Sequence, residues 1–505
     1  MPPTIHETGL KRWQNWHQSY SQKVERLVDV WNADPRRSTM EGYRDTTQGL
    51  QGLIQEALQR GQECRAFGGG WSLSTAPATS GTLINTKPLN YLFPTPPTHP
   101  ASEGRRPRLL FAQCGVSIAE LNQHLKKQSQ PQALWTSGAS NGQTIAGAMA
   151  TGTHGAALGF GAVQDYVVGL HLIVGPGRSV WLERASTPVI RDDIPGKLGA
   201  ELIRDDALFD AALVSFGSFG IVHGVLLETS DLYFLESFRI RMPLDESLWR
   251  AIDQLDFSAI PLPGPAGQRP YHFQLVINPH DLTRGVYVTV MYRHSQCPPG
   301  SSPPSPGSKL TQGDSAFEII GTLTDIVTEL TPPLMSQLID RFYPEYTNIC
   351  GTPDELFTDT TTRGKATGSA LGVPLGMVRR TLEAALDVND GYPVAALLSL
   401  RYVKASRATL AFTDHAPVTC VLDIDGPWSV RTRTYCQRVW KRLREEQIPY
   451  TFHWGKLNDL DAASVRSMYG PRIEAWLNAR RALLTTPALR ATFANDYLRA
   501  MGLDA

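Results

Sequence analysis

The sequence predicts an α+β protein of two domains or more, and three observations carry that expectation. A chain of 505 residues exceeds what one hydrophobic core ordinarily serves. Hydrophobic residues at 42% and charged residues at 19% describe a globular chain, not a disordered one. Helical and strand periodicities alternate without any solenoid repeat, and glycine is dense up to about residue 230 before the texture changes.

Taken in order, residues 1–31 place His6, Trp13, Trp16 and His17 where an amphipathic lead-in helix would carry them. From Thr46 to Gly61, the residues Leu50, Leu53, Ile54, Ala57 and Leu58 share a helical face, and Gly61 stops it. Short strands are expected at Cys64 to Phe67 and Leu109 to Gln113, with another apolar run at Thr82 to Asn85. Ser117-Ile-Ala-Glu120 is a capping box opening a helix. Val167 to Val174 and Val180 to Glu183 read as a hairpin across Gly175-Pro176-Gly177, followed by a helix at Asp206 to Val214 and a strand at Ile221 to Thr229. Beyond Leu232, Phe273 to Ile277 and Val286 to Tyr292 read as another hairpin, and Pro298 to Asp314 as a loop. A helix follows at Leu375 to Leu386, then strands at Val394 to Val403, Ala408 to Phe412 and Val418 to Ile424. The basic helix Val430 to Glu446 reads as a solvated surface.

Several function classes are disfavoured. Lys+Arg and Asp+Glu balance at 48 each, so no net field draws the chain to nucleic acid or an anionic membrane. No apolar run is long enough to span a bilayer, and the polar N-terminus lacks a signal-peptide core, so a cytoplasmic location is expected. Cys64, Cys114, Cys297, Cys350, Cys420 and Cys436 show no C-x-x-C spacing, which points to buried thiols and to neither a metal site nor a disulfide scaffold.

Two segments stand out chemically. Gly68-Gly69-Gly70-Trp71-Ser72 ends a strand, and successive glycines can aim their N–H groups at phosphate oxygens. It is neither a P-loop nor a dinucleotide fingerprint, because no Gly-Lys-Ser/Thr follows and no helix opens. The stretch from Ser137 to Gly155 is almost wholly glycine, alanine and small hydroxyls. Packed cores want larger residues; backbone lying against a flat polar ligand does not.

This second segment resembles the FAD-binding motif of the vanillyl-alcohol oxidase/p-cresol methylhydroxylase (PCMH) superfamily, with the closest likeness to its aldonolactone oxidase and alditol oxidase branch. Gly68 to Ser74 stands in the position of the family's pyrophosphate loop. Asp206 to Val222 resembles the segment that closes over the cofactor, His453-Trp454-Gly455-Lys456 the C-terminal His-Trp-x-Lys signature, and Asn495 to Leu498 the tail. The resemblance implies a lead-in over 1–31, a PCMH-type FAD-binding domain over 32–231, and a substrate or cap domain over 232–505, an antiparallel sheet flanked by helices. It implies cofactor contacts at Phe67, Gly68, Gly69, Gly70, Trp71 and Ser72. Others are implied at Gly138, Ala139, Ser140, Gln143, Thr144, Gly147, Ala148, Thr151, Gly152, Thr153, His154 and Gly155. The remainder are Gly220, Ile221, Val222, His453 and Lys456.

Oxidising an alcohol on a flavin requires the carbon to face N5, the hydroxyl proton to be accepted, and growing charge at N1/C2=O to be stabilised. The resemblance assigns that work to Arg401, Lys456, His453 and Ser140. The family's Glu-x-Arg pair, which holds substrate hydroxyls, here reads Ser399-Leu400-Arg401, so Ser399 and Arg401 are the expected substrate contacts and the glutamate is missing. Asp423 and Asp425 share a strand face and offer carboxylates, although solvent-facing aspartates are the simpler reading. Trp71 occupies the position of the family's flavin-linking histidine, which implies non-covalent FAD. The substrate expected is a polyol, sugar or sugar lactone, with dioxygen or another acceptor taking the electrons. The alternatives are an oxidase or dehydrogenase of a larger secondary metabolite, and a flavin-binding protein without catalysis.

Overall fold

The computed structural model describes residues 4–32, 39–102, 108–305, 316–327, 330–357 and 365–505. Three sheets organise it. The first has four strands in the order Thr4–Glu7, Arg26–Trp31, Thr82–Asn85 and Cys64–Phe67. The last three are parallel, joined by the helix Thr39–Gln59, which buries Leu50, Leu53, Ile54 and Ala57 in one core with Val28, Val30 and Ile84 of these strands. The second sheet has seven strands and is centred on Val167–Gly175 and Ile221–Asp231.

The third sheet has eight strands, and its central run is His272–Ile277, Leu397–Lys404, Val418–Pro427 and Ala366–Pro374. These strands pair antiparallel throughout. Strand side chains alternate between faces, and here the alternation separates two chemistries. Phe273, Leu275, Leu398, Leu400, Tyr402, Leu422 and Ile424 form one core with Leu382, Val439 and Leu443 of the flanking helices Val378–Gly391 and Val430–Glu445. Full burial of each such side chain contributes about 1.5–3 kcal/mol. His272, Gln274, Ser399, Arg401, Asp423 and Asp425 take the intervening positions and are also buried. A polar face buried in this way must find its partners within the protein.

The chain does not end at the eight-stranded sheet. The helices Ala462–Tyr469, Arg472–Leu483 and Asp496–Ala500 return to the first part of the molecule. There Trp476, Leu477, Leu483 and Leu498 join one core with Leu50, Ile54, Phe209 and Val214. Strand Arg26–Trp31, inside the first sheet, likewise lies ahead of the expected boundary at residue 32.

Several expectations need correction. Residues 4–31 are not a helix; they supply two strands of sheet and a hairpin, Arg12–Gln14 against Ser21–Lys23. The turn is fixed by Gln18 at φ +54° and by the Asn15 side chain, which accepts the N–H groups of Ser19 and Tyr20 at 2.9 and 3.2 Å. Residues 408–412 form no strand; Leu410, Ala411 and Phe412 are buried as loop. Only residues 298–305 of the expected Pro298 to Asp314 loop lie among the described residues. Cys64, Cys114, Cys420 and Cys436 are buried free thiols, but Cys297 and Cys350 form a disulfide. Their separation of 53 residues gives no local signal of pairing. No helix among the described residues is long and apolar enough to cross a membrane.

Candidate active site

A deep cleft opens where the first part of the molecule meets the buried polar face of the eight-stranded sheet. It collects Phe67 to Ser72, Gly138 to Ser140, Gln143, Thr144, Gly147, Ala148, Thr151, Thr153, His154, Gly220 to Val222, Arg401, His453 and Lys456. Gly152, Gly155 and Ser399, grouped with them from the sequence, are not on its lining. Gly152 ends the helix Ile145–Thr151 at φ +81°, and Gly155 allows close packing, since a Cβ there would stand 2.3 Å from Thr136 Oγ1. Ser399 is fully buried, with its Oγ 3.5 Å from Asp423.

One wall is backbone and small side chains. A Cβ on Gly68 would meet Thr144 Oγ1 at 2.0 Å, so the loop and the small-residue segment approach as closely as glycine permits. Gly70, at φ +69°, turns the loop. Its carbonyl accepts the Trp16 N–H at 2.8 Å. The tail braces this wall from behind: Asn495 Nδ2 donates to the carbonyls of Ala76 and Ala78 at 3.0 and 2.8 Å. Arg65, buried, donates to the carbonyls of Ala76, Phe216, Gly217 and Phe493. Such a cradle of exposed backbone, which side chains would fill, suits a flat polar cofactor of the FAD type.

The opposite wall is charged. Arg401 donates to Asp423 through Nε at 3.0 Å and Nη2 at 2.7 Å. Lys456 donates to Asp423 at 2.6 Å and to Asp425 at 3.2 Å. Asp423 lies directly across the strand pair from Ser399. The carboxylate missing at residue 399 is therefore supplied one strand over, and these aspartates are not the solvent-facing ones expected. Burial alone would raise Asp423, but Arg401 and Lys456 outweigh it and hold it below the usual carboxylate range. Burial opposes the charge on Lys456, and Asp423 and Asp425 reverse that, raising it. His453 is pushed down to about 3 by burial and then by Lys456, so the cation of the pair is the lysine. The Gly455 N–H donates to His453 Nδ1 at 3.0 Å, which leaves Nε2 to carry the proton of the neutral ring. His154 is likewise neutral, lowered by burial and by Arg401, with its Nδ1 3.0 Å from the Gly155 carbonyl. Trp454 is packing: it is fully buried and donates to the Leu410 carbonyl at 2.7 Å.

Among the lining residues that sequence reasoning missed, three bear on the chemistry of the cleft. Glu318, on the helix Ala316–Ile326, accepts the Ser140 hydroxyl and so bridges the two walls. A single acid within the apolar run Ala316-Phe-Glu-Ile-Ile320 was its available signal, since an unneeded buried carboxylate is rare. His17 and Phe317 meet edge to face at 4.9 Å. His17 also meets Trp71 at 5.2 Å, and Trp71 stacks on Trp16 at 5.6 Å. The N-terminal hairpin thus makes an aromatic side to the cleft.

Residues 43–183 match the FAD binding domain family. L-gulono-1,4-lactone dehydrogenase of Mycobacterium tuberculosis is 24% identical over 457 residues, spanning 89% of this chain and 92% of that protein. D-arabinono-1,4-lactone oxidase of Candida albicans is 28% identical over 195 residues, covering 37% of this chain and 31% of its own length. Among solved structures, cholesterol oxidase from B. sterolicum superposes with a TM-score of 0.70 at 14% identity, covering 99% and 97% of the two chains. Xylooligosaccharide oxidase from Myceliophthora thermophila C1, in complex with xylobiose, gives 0.61 at 11% identity, covering 96% and 93%. The matched domain and the fold describe an FAD-dependent oxidoreductase with a PCMH-type FAD-binding domain. In sequence the chain is similar to the two enzymes named for aldonolactones, across 89% of its length in the first and 37% in the second.

Proposed function

We propose that the protein oxidises a hydroxyl-bearing carbon of a small polar substrate, a sugar lactone, sugar or polyol. The observation that carries this reading is the cluster of Arg401, Asp423 and Lys456 at the cleft, opposite the small-residue wall. FAD, when bound, supplies the hydride acceptor at N5. Arg401, with Asp423 fixing its plane, donates to substrate oxygens. Lys456 is held as an ammonium at the cleft, where it would stabilise negative charge growing on bound FAD. Glu318, with Ser140 as its donor, accepts the proton of the substrate hydroxyl. His453 offers Nε2–H as a neutral donor. FAD is held without a covalent link, because Trp71 stands in the attachment position.

A second reading keeps this chemistry and enlarges the substrate; the aromatic side formed by Trp16, His17, Trp71 and Phe317 favours it. The test is anaerobic mixing of the yellow protein with aldonolactones and polyols, and in parallel with apolar secondary alcohols. Bleaching by the first set alone supports the primary reading; bleaching by the second set alone replaces it. Acid precipitation should leave the colour in the supernatant, and colour kept by the chain would disprove the non-covalent assignment.

A further inference from the structure

Asp423 and Asp425 occupy alternate positions of one strand, on one face, both fully buried. Both reach the same ammonium, Lys456 Nζ, at 2.6 and 3.2 Å. Their situations are unequal. Asp423 has Arg401 as a second cation. Asp425 has only Lys456 as an ion-pair partner among the described residues, and its Oδ2 is buried without a hydrogen-bond partner. The carboxyl lies over Gly368 of the neighbouring strand, where a Cβ would stand 2.0 Å from Oδ1. Among the described residues, Arg401 and Lys456 at the cleft are backed by Asp423 and Asp425, and Glu318 lines the cleft nearby.

We propose that Asp425 is a positioning residue that stores a proton behind Lys456, so that its ionisation sets how much of the lysine's positive charge the cleft feels. It rests on the reading of Lys456 as the cation beside FAD. A buried carboxylate with one unpartnered oxygen, next to a second carboxylate already ionised by two cations, is the member of the pair that takes the proton. Burial, with Asp423 adding to it against the pull of Lys456, raises Asp425 to about 7. The groups facing Asp425 are Lys456, Asp423 and Arg401 at the sheet, Glu318 from the helix Ala316–Ile326, and Cys436 from the helix Val430–Glu445. The Cys436 thiol is raised to about 12 by burial, so it stays neutral while Asp425 titrates. With Asp425 protonated, Lys456 is shared with Asp423 alone; with Asp425 ionised, a second negative charge offsets the ammonium. Negative charge growing beside Lys456 is then favoured less on the alkaline side.

Infrared difference spectra of the FAD-loaded protein, recorded between the acid and alkaline sides of neutrality, test the stored proton directly. A protonated-carboxyl C=O band should disappear with a midpoint near 7 and be absent in Asp425→Asn. A wild-type protein without that band, or a variant that keeps it, overturns the proposal. The midpoint potential of bound FAD supplies the second readout. In wild type it should fall more steeply with pH around 7 than in Asp425→Asn, which should keep the shallower slope of acidic wild type throughout. Identical pH dependences overturn the link to Lys456. Lys456→Met separates the two levels: if it leaves the potential unchanged, the cofactor-facing reading of the lysine fails with the link, while the infrared band still decides whether Asp425 holds a proton.

Discussion

The wall built from Gly68 to Ser72 and Gly138 to His154 presents backbone, hydroxyls and no formal charge. The wall facing it, from the eight-stranded sheet and the C-terminal turn, links Arg401, Asp423, Lys456 and Asp425 in one chain of hydrogen bonds. A neutral backbone wall avoids the desolvation of ions and gains affinity from proximity alone. A charged wall inside a protein is stable only when its members neutralise one another, so each residue depends on the others. The first wall should therefore respond to added volume and the second to removed charge.

Removal of charge should have the largest effect. Asp423→Ala leaves Arg401 buried without its carboxylate and Lys456 with Asp425 alone, so the variant should lose about 3–5 kcal/mol in urea unfolding of the FAD-loaded protein. A loss within the ~0–1 kcal/mol of a surface pair would mean that this wall is solvated, and the contrast would collapse. Replacing Arg401 by Met in the same chain should recover part of the loss, because it removes the stranded cation.

Added volume comes next. Gly68→Ala directs a methyl group into Thr144, and overpacking of this kind costs about 1–3 kcal/mol. The effect should fall on retention of FAD, read by flavin fluorescence on dilution, and Thr144→Ala in the same chain should restore part of it. Unchanged retention would remove the loop from the cofactor.

The smallest effect, per unit of pH, compares one histidine from each side. His171, behind the backbone wall and hydrogen-bonded to the Tyr43 hydroxyl, is lowered from 6.5 to about 3 by burial. His453, at the charged wall, is also lowered to about 3, by burial and Lys456. Above the ordinary value both folded and unfolded chains hold these rings neutral, and neither ring contributes. As pH falls below 6.5 toward 3, only the unfolded chain takes up the proton, so stability declines by about 1.4 kcal/mol per pH unit for each ring. His171→Gln and His453→Gln should each remove that slope. If only the second does so, local charge and not burial governs acid sensitivity.

The same contrast explains what could be read from the sequence. The backbone wall is contiguous, so its small residues announced it in two runs, and the capping box at Ser117 was as plain: Ser117 Oγ accepts the Glu120 N–H at 3.2 Å and Glu120 accepts the Ser117 N–H at 2.7 Å. The charged wall is assembled from residues 318, 401, 423, 425 and 456, which only the sheet brings together. Asp423 and Asp425 resembled solvent-facing positions because an antiparallel sheet commonly has one wet face; here that face closes a cleft. Trp13, Trp16 and His17 mimicked a helical stripe, but the turn at Asn15 and Gln18 folds them into a hairpin against the glycine loop. Ala408 to Phe412 had the apolar content of a strand, but Leu410, Ala411 and Phe412 are buried as loop.

The position of Asp423 opposite Ser399 has a consequence for how such proteins are recognised. A pleated sheet is a lattice, and neighbouring columns of that lattice deliver a side chain to nearly the same point in space. An acid can thus be lost from one column and regained in the next while the arginine beside it keeps its partner. Linear signatures register that exchange as a loss of function. A comparison made on lattice sites, counting charges per neighbourhood and not per motif, would register it as neutral drift.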